Sequence, residues 1–64
     1  MSPEALWSKF NELFSYLVPN TTKYSSIQND TRSIRVFMKD GNRFIFTYPR
    51  NGHYTLVTES FREE

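Results

Sequence analysis

The sequence predicts an α+β fold in which an N-terminal helix packs on one face of a three- or four-stranded antiparallel β-meander. Two observations predict this fold. Apolar residues recur at helical spacing from Leu6 to Val18, and three short β-rich runs follow between Arg32 and Thr58. Glycine-containing turns separate these runs, which is the pattern of consecutive hairpins. A chain of 64 residues is expected to form a single small domain, 1–64.

The first element is predicted to be a helix over residues 3–18. Ser2 can cap its N-terminus, and Pro3 suits the first helical position. The helix is expected to end before Pro19, because the residue that precedes a proline is disfavoured in the α region. The apolar positions cover an arc of about 140°, so this face should pack on the sheet. These positions are Leu6, Trp7, Phe10, Leu13, Phe14, Leu17 and Val18.

Residues 19–32 are polar and rich in turn formers, with Tyr24 and Ile27 as apolar anchors. They form either a connection or an edge strand at about 22–27 followed by a turn. A loop of this length without structure is uncommon in a compact domain, which favours the extra strand.

The β-meander is predicted over 33–59, followed by an acidic tail at 60–64. A three-residue turn at 39–41, with Gly41 in the left-handed region, pairs Val36 with Phe44. A similar turn at 50–52 pairs Phe46 with Leu56, although Asn51-Gly52 is also a strong two-residue turn signal. The face predicted to meet the helix then carries Ile34, Val36, Met38, Phe44, Phe46, Tyr48, Tyr54 and Leu56.

Composition argues against catalysis and against several kinds of site. The chain has no Cys, one His and no glycine-rich phosphate loop. His53 lies beside a predicted turn, and no pair of carboxylates is placed to act as acid and base. We therefore expect no enzyme activity, no catalytic residues, no cofactor, no metal site and no small-molecule substrate.

Hydropathy gives a similar expectation for membranes. No apolar run approaches the roughly 18 residues that a membrane span needs. No basic segment followed by an apolar core marks a secretory signal. The expectation is a cytoplasmic protein without a membrane partner.

Charge is segregated along the chain. Residues 23–53 carry six cations and two carboxylates, a net charge of +4, while the rest carries two cations and five carboxylates, a net charge of −3; these sum to +1. Basic sheets with interleaved aromatic rings bind single-stranded nucleic acid, which makes nucleic-acid binding the alternative function. Against it, the pI of about 8.1 is low for such a domain. The candidate phosphate contacts are Arg35, Lys39, Arg43 and Arg50.

The sheet face opposite the helix is predicted to carry Ser33, Arg35, Phe37, Arg43, Ile45, Thr47, Thr55 and Val57. A fully solvated face would be more polar than this one. Apolar residues rimmed by arginine are typical of contact surfaces, and a merely half-apolar exposed face is the alternative interpretation. The predicted partner-binding residues are Arg35, Phe37, Arg43, Ile45 and Val57.

These observations favour a small non-enzymatic protein-binding or regulatory module that acts through this face, with a protein partner or a second copy of the chain as its ligand. Short cysteine-free chains are common among accessory proteins, including those of phages and other mobile elements, but this association rests on size alone.

Overall fold

The computed structural model describes residues 1–59, in which one helix packs against a four-stranded antiparallel sheet, as predicted. The strands lie in the sheet in the order in which they occur in the chain. The predicted acidic tail at 60–64 lies outside the described residues. The elements are α1 (Pro3–Leu13), a 3-10 turn (Val18–Asn20), β1 (Thr21–Ile27), β2 (Asp30–Met38), β3 (Arg43–Thr47) and β4 (Thr55–Glu59).

The start of α1 follows the predicted capping chemistry. The Ser2 side chain accepts a hydrogen bond of 3.1 Å from the backbone N–H of Ala5, and Pro3 occupies the first helical position. This satisfies one of the N–H groups that has no partner within the helix.

The end of α1 was predicted wrongly, because the helix stops at Leu13 and not at residue 18. Phe14 leaves the helical conformation with φ of −126° and ψ of 46°. Its ring contacts Phe46 and Tyr54 edge-on, with centroid separations of 5.9 and 5.8 Å. We attribute the early stop to these tertiary contacts, and to a last turn without a basic residue to complement the helix dipole.

The chain after α1 stays in contact with the core, although it is no longer α-helical. Leu17 and Asn20 donate backbone hydrogen bonds of 2.9 Å to the carbonyls three residues earlier. Pro19 lies inside the resulting 3-10 turn, where its missing N–H costs little. Tight turns therefore keep Leu17 and Val18 packed against the core, as the apolar pattern predicts.

The segment between the helix and the meander forms an edge strand, which was one of the two alternatives predicted for it. Strand β1 pairs with β2, and Asn29 takes a positive φ of 65° in the turn between them. The pairing is irregular between Thr21 and Lys23 and again between Ser26 and Ile27. Bulges of this kind bend an edge strand and hinder further pairing.

The predicted register of the meander is confirmed. Val36 pairs with Phe44, and Phe46 pairs with Leu56. In the first turn Gly41 has φ of 93°, and the Met38 N–H donates to the Asn42 carbonyl at 2.9 Å. The three-residue turn predicted at 50–52 is wrong, because the ladder ends at Thr47 and Thr55 and a seven-residue loop, 48–54, joins the two strands. Gly52 has φ of 82° in this loop. Both glycines occupy conformations that other residues adopt only with strain.

The core lies between α1 and the inner face of the sheet, the face that contacts the helix. Phe10 and Phe46 meet edge-on at 5.7 Å, and both are fully buried. Trp7 stacks on Phe10 at 5.3 Å and on Tyr24 at 4.8 Å. The buried apolar set is Leu6, Phe10, Ile34, Val36 and Phe46. Aromatic packing therefore supplies much of the buried area in this short chain.

Candidate functional site

The outer face of the sheet, opposite α1, is the surface that brings the predicted binding residues together. Strand alternation places every second residue of β2, β3 and β4 on this side. Arg35, Ile45 and Val57 form one row across these strands. The outer face comprises Lys23, Ser25, Ser33, Arg35, Phe37, Arg43, Ile45, Thr47, Thr55, Val57 and Glu59.

An ion pair crosses this face from β2 to β4. Arg35 donates from Nε to Glu59 Oε1 at 2.7 Å and from a terminal nitrogen to Oε2 at 3.0 Å. About 30% of each side chain is exposed. This two-point hydrogen bond raises the pKa of Arg35 and lowers the pKa of Glu59 below its ordinary value. Arg43 adds a smaller favourable charge interaction that also lowers the pKa of Glu59.

Phe37 lies under two cations. Lys23 Nζ is 4.9 Å from the centre of its ring, and the guanidinium carbon of Arg43 is 5.8 Å from it. Both distances fall within the range of cation–π attraction. The ring is therefore half-buried beneath basic side chains at one end of the face.

Next to this basic end, the middle row of the face carries an aliphatic strip that consists of Ile45 and Val57, with Arg35 beside it on β2. Val57 is 53% exposed, and Ile45 beside it is half-buried. Farther along the strands, Ser33 Oγ and Thr47 Oγ1 share a hydrogen bond of 2.7 Å. The face thus combines an exposed aliphatic strip with a basic, aromatic end.

The structure brings all five predicted partner-binding residues onto this face, but it separates the predicted phosphate contacts. Lys39 lies in the turn before β3, whereas Arg50 lies in the loop after β3. Only Arg35 and Arg43 of that group share the outer face, and Arg35 is engaged by Glu59.

Sequence reasoning missed three outer-face residues, of which Ser25 is uncharged and Lys23 and Glu59 carry charge. Glu59 could have been found by extending the β3–β4 register, which places it opposite Arg43. Lys23 reaches Phe37 through the pairing of β1 with β2, and no turn signal fixed that register. Long-range pairing of an irregular strand leaves little trace in local sequence.

Other parts of the described chain offer less to a ligand. An open cavity of about 300 Å³ lies between the 3-10 turn and the β2–β3 turn, bordered by Leu17 and Phe44. The Asp40 carboxylate beside it accepts hydrogen bonds of 3.0 Å from the backbone and side chain of Asn42. Within residues 1–59, no three His, Asp or Glu side chains converge as a metal site. Nor is any helix in this range long and apolar enough to cross a membrane.

No protein-family model matches the chain, and neither a curated protein nor a solved structure shows significant similarity to it.

Proposed function

We propose that this protein is a small non-enzymatic binding module whose outer sheet face docks on a partner protein. The observation that carries the proposal is the combination of exposed Val57 with Ile45, Phe37 and their basic rim on one face. Burial of such apolar groups favours association by about 25 cal/mol per Å², before the costs of binding are subtracted.

The charge on the outer face favours an acidic partner. Its charged side chains are Lys23, Arg35 and Arg43 against Glu59, a net charge of +2. Two such faces brought together would repel each other, so a second copy is a poor ligand for this surface. An acidic surface with an apolar centre would complement it in both charge and hydropathy.

Nucleic acid fits the same face less well. A base-stacking platform needs open aromatic faces, whereas the Phe37 ring lies beneath Lys23 and Arg43. The carboxylate of Glu59 would repel phosphates, and the aliphatic strip offers no ring for stacking. We therefore rank nucleic-acid binding second, as an outcome that the experiment below must distinguish.

The non-enzymatic part of the proposal is supported by the positions of the polar groups. His53 is exposed in the β3–β4 loop, where its backbone N–H donates to Asn51 Oδ1 at 3.0 Å. Asp30 Oδ1 accepts a hydrogen bond of 2.9 Å from the backbone N–H of Arg32. These groups serve turns and strand ends.

Capture of partners from the native host, with and without nuclease, tests the proposal. The wild-type chain should retain an acidic protein after nuclease treatment. Ile45→Glu, which places a charge in the centre of the face, should lose it. Gln28→Glu, in the exposed turn between β1 and β2, is the matched control and should retain it. Loss of every partner on nuclease treatment would favour the nucleic-acid alternative instead.

A further inference from the structure

The outer edge of β4 is an unprotected strand edge. The sheet order places β4 at one end, and no strand among residues 1–59 pairs with its far side. Its sequence, Thr55 to Glu59, is rich in β-branched residues and contains no Pro or Lys. Such an edge presents backbone N–H and C=O groups that can pair with another strand.

The direction of these backbone groups follows from the ladder. In an antiparallel pair, hydrogen-bonded and non-bonded positions alternate. Met38 donates to the Asn42 carbonyl, and Tyr48 donates to the Arg32 carbonyl, both at 2.9 Å. The even-numbered residues of β3 are therefore bonded to β2, and its odd-numbered residues are bonded to β4.

The same alternation fixes the orientation of β4. Because Val57 pairs with Ile45, its backbone groups are directed toward β3. The backbone groups of its two neighbours, Leu56 and Thr58, are consequently directed toward the outer edge. These two residues supply the donors and acceptors of an added strand.

The opposite edge of the sheet, strand β1, is protected against the addition of another strand, whereas the β4 edge is not. Strand β1 carries two irregularities and a lysine, Lys23, both of which discourage strand addition. Glu59 carries the only charge on β4, and its carboxylate forms an ion pair with Arg35 of β2 in the same sheet. Because this charge is paired within the sheet, it does not discourage the addition of a strand to the β4 edge.

We propose that a second copy of this chain adds to the β4 edge, with the two β4 strands antiparallel about a two-fold axis at Val57. This register places the outward groups of Leu56 opposite those of Thr58 of the other copy, so each donor meets an acceptor. It also places each Glu59 opposite an uncharged Thr55. A parallel arrangement in register would bring the two Glu59 carboxylates together, which is unfavourable.

The two sheets would then form one continuous sheet with both outer faces on the same side. The Val57 side chains would meet at the two-fold axis and join the aliphatic strips of the two copies. This inference goes beyond the proposed function, because partner docking uses side chains of the outer face while self-association uses the backbone of an edge.

Sedimentation equilibrium over a wide concentration range tests this inference with Thr58→Pro. The substitution removes an N–H that is directed away from β3, so the chain's own sheet keeps its hydrogen bonds. We expect the wild type to reach the mass of two chains and Thr58→Pro to stay monomeric. Thr58→Lys, which adds a charge at the same edge, is the second variant, and Ser26→Lys on the exposed part of β1 is its matched control.

The outcomes separate this inference from the proposed function. Self-association that is lost in Thr58→Pro and Thr58→Lys but kept in Ile45→Glu and Ser26→Lys supports the edge contact. Wild-type chain that is monomeric at every concentration overturns it, as does a dimer with unchanged affinity in both Thr58 variants. A dimer lost only in Ile45→Glu would place the contact on the outer face and overturn the edge assignment.

Discussion

Arg35 and Glu59 are joined across the interior strand β3 by two hydrogen bonds, of 2.7 and 3.0 Å. The pair links β2 to the edge strand β4, and it lies beside the apolar residues of the outer face. It therefore contributes both to the stability of the edge and to the character of the candidate binding surface.

The first prediction concerns acid stability. Because Arg35 lowers the pKa of Glu59 in the folded state, the pair stabilises the fold above the unfolded pKa of about 4.3 and loses this contribution as pH falls through the folded pKa. Glu59→Gln should remove that part of the acid dependence. At neutral pH it should cost about 0.5–1 kcal/mol, since the pair is partly exposed.

Urea unfolding at several pH values measures this effect. Arg35→Lys is the companion variant, because it keeps the charge but loses the two-point geometry. Identical stability–pH profiles for wild type and Glu59→Gln between neutral pH and the acid limb would show that the ion pair contributes nothing.

The second prediction concerns the aromatic core. Phe46 is fully buried and meets Phe10 and Phe14 edge-on. Phe46→Ala should cost about 3–5 kcal/mol, which is enough to unfold so small a domain. Tyr16, which is 72% exposed, provides the control: Tyr16→Ala should change stability by about 0.5 kcal/mol or less. Thermal unfolding that shows a cooperative Phe46→Ala variant with little change in Tm would contradict the described packing.

The third prediction concerns the β2–β3 turn. An added Cβ at Gly41 would meet nothing within 4 Å, so the cost of Gly41→Ala comes from its φ of 93° alone. We expect a loss of about 1–2 kcal/mol. Gly41→Asn should cost less, because asparagine tolerates the left-handed region better. Denaturant midpoints of the two variants measure the difference, and equal, negligible losses would indicate a different turn.

The register of the meander could be predicted from sequence because local residues determine it. Gly41 supplies a local constraint, and the alternation of apolar residues selects the one register that buries Val36 against Phe44. The helix start was equally local, since Ser2 and Pro3 carry its signal. Where a few neighbouring residues determine the backbone, sequence reasoning is sufficient.

The missed features depend on residues that are distant in the chain. The helix ends at Leu13, and we attribute this end to packing of the Phe14 ring on Phe46, a contact that no helix-stop signal encodes. The position of Lys23 over Phe37 requires the irregular pairing of β1, and the role of Glu59 requires the last strand to reach Arg35. The apolar residues and the arginines of the candidate site could therefore be predicted from the sequence. The complete set of charged residues on the outer face could not.

The fourth prediction concerns nucleic acid. If Arg35, Lys39, Arg43 and Arg50 acted together on phosphates, affinity would fall steeply with salt. We expect instead that short single- and double-stranded oligonucleotides show no specific binding near physiological salt, because Arg35 is paired and the turn residues lie apart. Fluorescence anisotropy at two salt concentrations measures this. Tight binding with a steep salt dependence, weakened by Arg43→Ala, would favour the alternative function.

The central claim is that the outer sheet face docks on an acidic partner protein, and the affinity of the captured partner for matched variants tests it most directly. Isothermal titration of nuclease-treated, purified partner should show that Ile45→Glu weakens binding by roughly 30-fold or more, the loss expected at an interface hot spot. Gln28→Glu should leave the Kd unchanged, and circular dichroism should show that both variants are folded. A folded Ile45→Glu variant that binds the partner with wild-type affinity would contradict the claim.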